Sequence, residues 1–312
     1  MVSIQESIKE FIFHCVYEKN LSEKTLKAYK IDLKQFIEFQ EVGELLIQDV
    51  DKIILKKYIQ CLFDKKLKEK TIKRKLATLK AFFNYLEFDE QIVVNPFRKI
   101  KINIKEPKRL PKTLSIREVK KLLTYVYKAK ENIDKDIYSY KAIVRDILIL
   151  ELLFATGMRV SEVSNLNVRD IDQKTNTIRI IGKGDKERTL HICEIEIKTL
   201  LKEYLKLFHK DTKKSHLFIN RLGQKISEQS IRFMVKKYQK LVGIEKHITP
   251  HMFRHSFATM LLEEGVDIRY IQHILGHSCI STTQIYTQVN MKHQKKIFST
   301  KHPRRNLNFV EN

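Results

Sequence analysis

Nowhere in the sequence do apolar residues run for the roughly 18 positions that a bilayer-spanning helix requires. The amino-terminal stretch MVSIQESIKEFIFHCVYEKN breaks every apolar run with charge, so it lacks the basic-then-apolar layout of a secretion signal. Together these absences predict a cytoplasmic protein with no membrane partner. Cysteine is scarce: Cys15, Cys61, Cys193 and Cys279 stand far apart, and none forms a C-x-x-C pair. That spacing excludes a disulfide framework and a zinc knuckle, and predicts reduced, mostly buried thiols. No G-x-x-x-x-G-K-S/T occurs, which excludes a P-loop. Internal repeats and low-complexity tracts are missing as well.

Acidic side chains are the last shortage. The 37 Asp and Glu face 60 Lys and Arg, leaving a formal charge of +23. Such an excess destabilises a compact state unless a polyanion shares the surface, and nucleic acid is the usual polyanion. A lysine-rich proteome encoded by an AT-rich genome would give the same imbalance, so charge alone leaves both readings open. With 43% hydrophobic and 31% charged residues, the composition is that of a folded protein, and 312 residues suffice for two domains.

The first hundred residues read as wholly helical. Ser22 is the expected N-cap of a helix carrying Leu26, Tyr29, Leu33, Phe36 and Ile37 at helical spacing. A further amphipathic run holds Ile53, Leu55, Tyr58, Ile59 and Leu62. Another opens near Lys70 and buries Ile72, Leu76, Leu79, Phe82, Phe83 and Leu86, while Lys70, Lys73, Arg74, Lys75 and Lys80 make its opposite, basic face. Asn95-Pro96 ends this bundle, and a basic stretch containing Pro107 and Pro111 reads as an extended linker. Ser115-Ile-Arg-Glu118 is a capping box that opens a second, α-rich unit. Strands are expected near 168–172, 176–182 and 187–193, with Gly182-Lys-Gly-Asp185 turning a hairpin. The fold class is mainly α, with one small three-stranded antiparallel sheet. The expected domains are a helical bundle at 1–102, a linker at 103–114, an α-rich domain with the sheet at 115–303 and a tail at 304–312.

Five segments of the second unit carry residues suited to chemistry. Arg159 lies in ATGMRVSE, after a helix-breaking Gly157; by itself it would be a surface arginine paired with Glu162. Lys183 sits in the glycine hairpin, where a solvated loop is the ordinary reading. His251 and Arg254 follow Thr249-Pro250, a helix start, on one face of that helix. His277 follows Gly276, the expected left-handed residue closing a helix. Tyr286 comes nine positions later and, alone, would be packing. His251 with His255, and His273 with His277, are four apart and invite a zinc reading. Met252 stands where H-E-x-x-H needs its glutamate, and only Glu263 and Glu264 lie close by. These histidines are therefore expected to pack or hydrogen-bond rather than hold metal.

Taken together, the segments suit phosphoryl transfer. Two arginines can grip a phosphate with forked hydrogen bonds that lysine cannot reproduce. A phenol has a pKa near 10 and attacks at neutral pH only where developing phenolate is stabilised, which His251 and His277 could do. Lys183 could protonate the leaving oxygen.

The ordered set Arg159, Lys183, His251-x-x-Arg254, His277 and Tyr286 resembles the tyrosine recombinases, or phage-type integrases. Its separations of 24, 68, 3, 23 and 9 residues are similar to those of the Xer branch. So are the words ATGMRVSE, GKGDKER, TPHMFRHSFAT and LGHSCISTTQIYT, and the tail His302-Pro303-Arg304. Residues 115–303 carry this match; NLSEKTLKAYKIDLKQF resembles the SAM-like core-binding domain more loosely. The resemblance implies a site-specific recombinase in which Tyr286 forms a 3′-phosphotyrosyl link to DNA and a 5′ hydroxyl later reverses it, with no metal, ATP or other cofactor. It also implies a homo- or hetero-tetramer on two double-stranded DNA sites, clamped by both domains, with Met291 to Ser299 passed to a neighbouring subunit. Lys70, Lys73, Arg74, Lys108 and Arg109 are candidate DNA contacts. The implied role is resolution of chromosome or plasmid dimers at cell division. The alternatives are recombination of a mobile element and, in a different class, a non-catalytic DNA-binding regulator.

Overall fold

The computed structural model describes residues 3–39, 42–105, 111–135, 138–182, 187–209 and 215–276. The chain divides into two compact units, Met1–Lys108 and Arg109–Asn312.

Four helices build the first unit: α1 (Ile4–Phe13), α2 (Glu23–Ile37), α3 (Lys52–Asp64) and α4 (Glu69–Phe88). Local chemistry starts three of them. Ser3 and Glu6 form a capping box, Ser22 accepts from the Thr25 N–H, and Asp51 accepts from Ile53 and Ile54. The apolar faces meet in a core of Phe11, Leu33, Phe36, Leu79, Phe82 and Phe83. Ile53 is the exception among the expected core positions and is 54% exposed.

A polar knot lies within this core. Asp32 is fully buried and bonds to Lys75 Nζ at 3.1 Å, to Thr78 Oγ1 at 3.1 Å and to the Arg74 guanidinium. Lys75 also donates to Gln35. The expected basic face of α4 is corrected accordingly. Lys70, Lys73, Arg74 and Lys80 are exposed, but Lys75 is turned inward because a buried carboxylate requires a counter-charge.

In the second unit α5 (Ile116–Glu131) opens on the predicted capping box of Ser115 and Glu118. The next helix, α6 (Tyr138–Thr156), is apolar around most of its circumference and therefore central. Asp146, within it, ties to α9 (Glu228–Leu241) by accepting from the Tyr238 hydroxyl at 2.9 Å. The sheet is β1 (Ile171–Asp172), β2 (Thr177–Ile181) and β3 (Glu187–His191), antiparallel in chain order. Ile178 pairs with Leu190 and Ile180 with Arg188, so all four side chains point to the buried face. The first expected strand is shorter than its pattern because Val168–Asp170 forms a 3-10 turn. Around these pack α7 (Val160–Asn165), α8 (Ile195–His209), α10 (Pro250–Glu263) and α11 (Ile268–Leu275).

Among the described residues no helix is long and apolar enough to cross a membrane. The expectation of mostly buried thiols is only partly right. Cys15 is buried, Cys61 is half-buried and Cys193 is exposed, while Cys279 lies outside the described residues.

Candidate active site

Three turns bring the described site residues together. Gly157 ends α6 with φ +62°, where a Cβ would fall 2.6 Å from a Phe257 ring carbon and 2.9 Å from a Leu275 methyl. Neither space nor backbone admits a larger residue there. The turn sets Arg159 at the start of α7, where the Glu162 carboxylate takes its backbone N–H at 2.7 Å and its Nη1 at 2.8 Å. The expected pairing with Glu162 thus exists, and its two bonds orient the arginine.

Pro250 opens α10 as predicted, although the Thr249 side chain makes no capping bond. Arg254, one turn in, is only 4% exposed. Its Nη1 donates to the Gly157 carbonyl at 2.9 Å and its Nη2 to the Leu275 carbonyl at 2.7 Å. Arg159 reaches the same helix end, with Nη1 at 3.4 Å from Leu275 O and Nη2 at 3.3 Å from Gly276 O. Gly276 has φ +65°, the predicted left-handed terminus of α11. Two guanidiniums from distant parts of the chain therefore converge on one helix end, and the Arg159 side chain remains about a third exposed, at 34%.

His251 stands at the exposed first turn of α10. Its pKa lies below the usual imidazole range, first because the surrounding protein displaces water and then because Arg254, Arg232 and Arg159 disfavour a further positive charge. His255 is pushed down to about 4, chiefly by burial. Glu162 behaves oppositely to its burial. Desolvation works to raise its pKa, yet its bonds to Arg188 and Arg159 prevail and hold it below the ordinary carboxylate range.

Lys183, His277 and Tyr286 lie outside the described residues, as do Lys108 and Arg109. Lys183 falls between β2 and β3 in sequence, and His277 directly follows the helix end on which the arginines converge.

The phage integrase family model matches residues 112–293, and the model of its N-terminal SAM-like domain matches residues 8–89. The chain belongs to the phage integrase family. It is 45% identical to a tyrosine recombinase of Agathobacter rectalis, over 99% of this chain and 100% of that one. It is 38% identical to the tyrosine recombinase XerC of Thermodesulfovibrio yellowstonii, over 97% and 98% of the two chains. Among solved structures it is similar to the XerH site-specific recombinase bound to a palindromic difH substrate in a post-cleavage complex. That match has a TM-score of 0.73 and 25% identity, covering 94% of this chain and 84% of the other. The protein is thus a site-specific recombinase of the tyrosine class, on the Xer branch.

Sequence reasoning missed one residue of this cluster, Arg188. It is 9% exposed, donates to both oxygens of Glu162 at 3.0 and 2.8 Å, and reaches the Ile274 carbonyl at 2.9 Å. The signal was present: Arg188 is in phase with Leu190 on the inward face of an alternating strand, where arginine is out of place without a buried acid.

Proposed function

We propose that this recombinase cleaves DNA by attack of the Tyr286 phenol oxygen on a backbone phosphorus held by Arg159 and Arg254. The new bond joins the phenol oxygen to phosphorus, and the bond to the 5′ oxygen breaks. Lys183 gives that oxygen its proton, while His251 and His277 take up the phenolic proton and stabilise the developing phenolate. A 5′ hydroxyl from a partner duplex then attacks the 3′-phosphotyrosyl link, restoring the backbone and releasing the phenol. Phosphate bond energy is conserved in the link, so the cycle requires neither ATP nor metal.

The observation that supports this reading is the convergence of Arg159 and Arg254 on the end of α11, immediately before His277. Forked donors at one point suit the non-bridging oxygens of a phosphodiester, whose charge grows toward the transition state. The basic composition suits the duplex around it.

In this reading residues 1–102 and 115–303 both engage the duplex, joined in sequence by the basic linker 103–114. Lys70, Lys73, Arg74, Lys108 and Arg109 add phosphate contacts. The working assembly is a homo- or hetero-tetramer on two sites, with the segment Met291 to Ser299 exchanged between subunits. The setting is cytoplasmic, and the task is resolution of chromosome or plasmid dimers at cell division, with recombination of a mobile element as the alternative.

A nicked suicide duplex tests the chemistry. The expected product is a denaturant-resistant protein–DNA adduct that forms in EDTA and is missing with Tyr286→Phe. A shifted complex that dissociates fully in denaturant would make the protein a regulator instead.

A further inference from the structure

We propose that Arg188 is a positioning residue for strand cleavage, one that takes up the charge of Glu162 and so leaves the charge of Arg159 for the phosphate. The inference rests on the assignment of Arg159 to the scissile phosphate.

Glu162 accepts from both arginines, but unequally. Arg188 meets it with two parallel bonds at 2.8 and 3.0 Å, the forked geometry that carries most energy. Arg159 gives the carboxylate one guanidinium nitrogen and its backbone N–H. The Arg188–Glu162 pair is almost fully enclosed, at 7% and 6% side-chain exposure, whereas Arg159 is open at 34%. The triad carries a net charge of +1, and geometry puts that charge on the member a ligand can reach. Without Arg188, Glu162 would have one strong partner left, and the Arg159–Glu162 pair would be neutral. An electrically neutral pair offers little to a dianionic transition state.

Arg188 also ties together the segments that lead to the other site residues. It stands on β3, five positions after Lys183. Through Glu162 it holds the α7 start that bears Arg159. Through Nε it holds the Ile274 carbonyl, two residues before Gly276. Its Nη1 would come within 3.0 Å of any Cβ placed on Gly276, so the arginine and the glycine turn share one packed space.

The test compares two nicked suicide duplexes under single-turnover conditions with saturating protein. One carries an ordinary scissile phosphodiester, the other a methylphosphonate, in which a methyl group replaces one non-bridging oxygen and removes its charge. Arg188→Met and Arg188→Gln both delete the charge, and glutamine keeps a hydrogen bond to Glu162. Each is expected to cleave the phosphodiester about a hundredfold more slowly but the methylphosphonate less than about fivefold more slowly. Arg159→Ala should show the same substrate dependence, and Arg188→Lys should recover most of the rate. Equal deficits on both duplexes, or no deficit in the glutamine variant, would overturn the proposal. If Arg159→Ala itself cleaves normally, the assignment beneath the proposal fails. If only the Arg188 variants are normal, that assignment stands and the proposal alone falls.

Discussion

Arg159 and Arg254, 95 positions apart in sequence, both donate to the carbonyl oxygen of Leu275, at 3.4 and 2.7 Å. A helix C-terminus carries partial negative charge on its unsatisfied carbonyls, which complements two cations. The same bonds hold both guanidiniums in fixed orientation before any phosphate arrives, so little reorganisation remains when charge develops.

Arg254→Lys tests that orientation. An ammonium cannot span the Gly157 and Leu275 carbonyls as the planar fork does. Single-turnover cleavage should fall about a hundredfold while DNA affinity stays within about threefold. Rate and affinity measured separately decide it, and a parallel loss in both would place Arg254 in ground-state binding.

Cleavage should tolerate neutral pH and fail in acid. With its pKa below the usual imidazole value of about 6.5, His251 is neutral at pH 7 and can accept the phenolic proton. Protonation on acidification removes that capacity, so the rate should hold from pH 8 through the ordinary imidazole range and fall only at lower pH. In His251→Ala the acid limb should disappear, and its persistence would assign the limb to another group. Stability follows the same sign through His255. The unfolded chain takes up a proton near pH 6.5 and the folded one near 4, so the stabilisation is present above 6.5 and lost as pH falls to about 4.

Asp32→Asn probes the polar knot of the first unit. The change strands the Lys75 ammonium, 4% exposed, without its anion. Loss of one partner of a buried pair costs about 3–5 kcal/mol. Urea unfolding should show that loss, and Lys75→Met combined with Asp32→Leu should recover much of it. A shift below about 1 kcal/mol would mean that Gln35 and admitted water solvate the stranded ammonium.

Helix starts and stops were legible in the sequence because they depend on a few neighbouring residues. Ser22, Ser115, Gly157 and Gly276 each act within one turn of the chain, and each stands where its local chemistry put it. The β2–β3 hairpin was readable for the same reason, since alternation has a period of two. The inward turn of Lys75 was not, because its cause is Asp32, 43 residues away on another helix. The inward phase of Arg188 could be read from its strand, but its acid partner, 26 positions earlier, could not.

The amino-acid order alone determined the element types, the mainly α class and the ordered set of residues that marks the family, since these are properties of near neighbours and spacing. Only the tertiary structure decided which charges are spent inside the protein and which face outward. A buried ion must find its counter-ion wherever packing brings one, and desolvation, which sets the strength of each pair, exists only once the chain has closed around it.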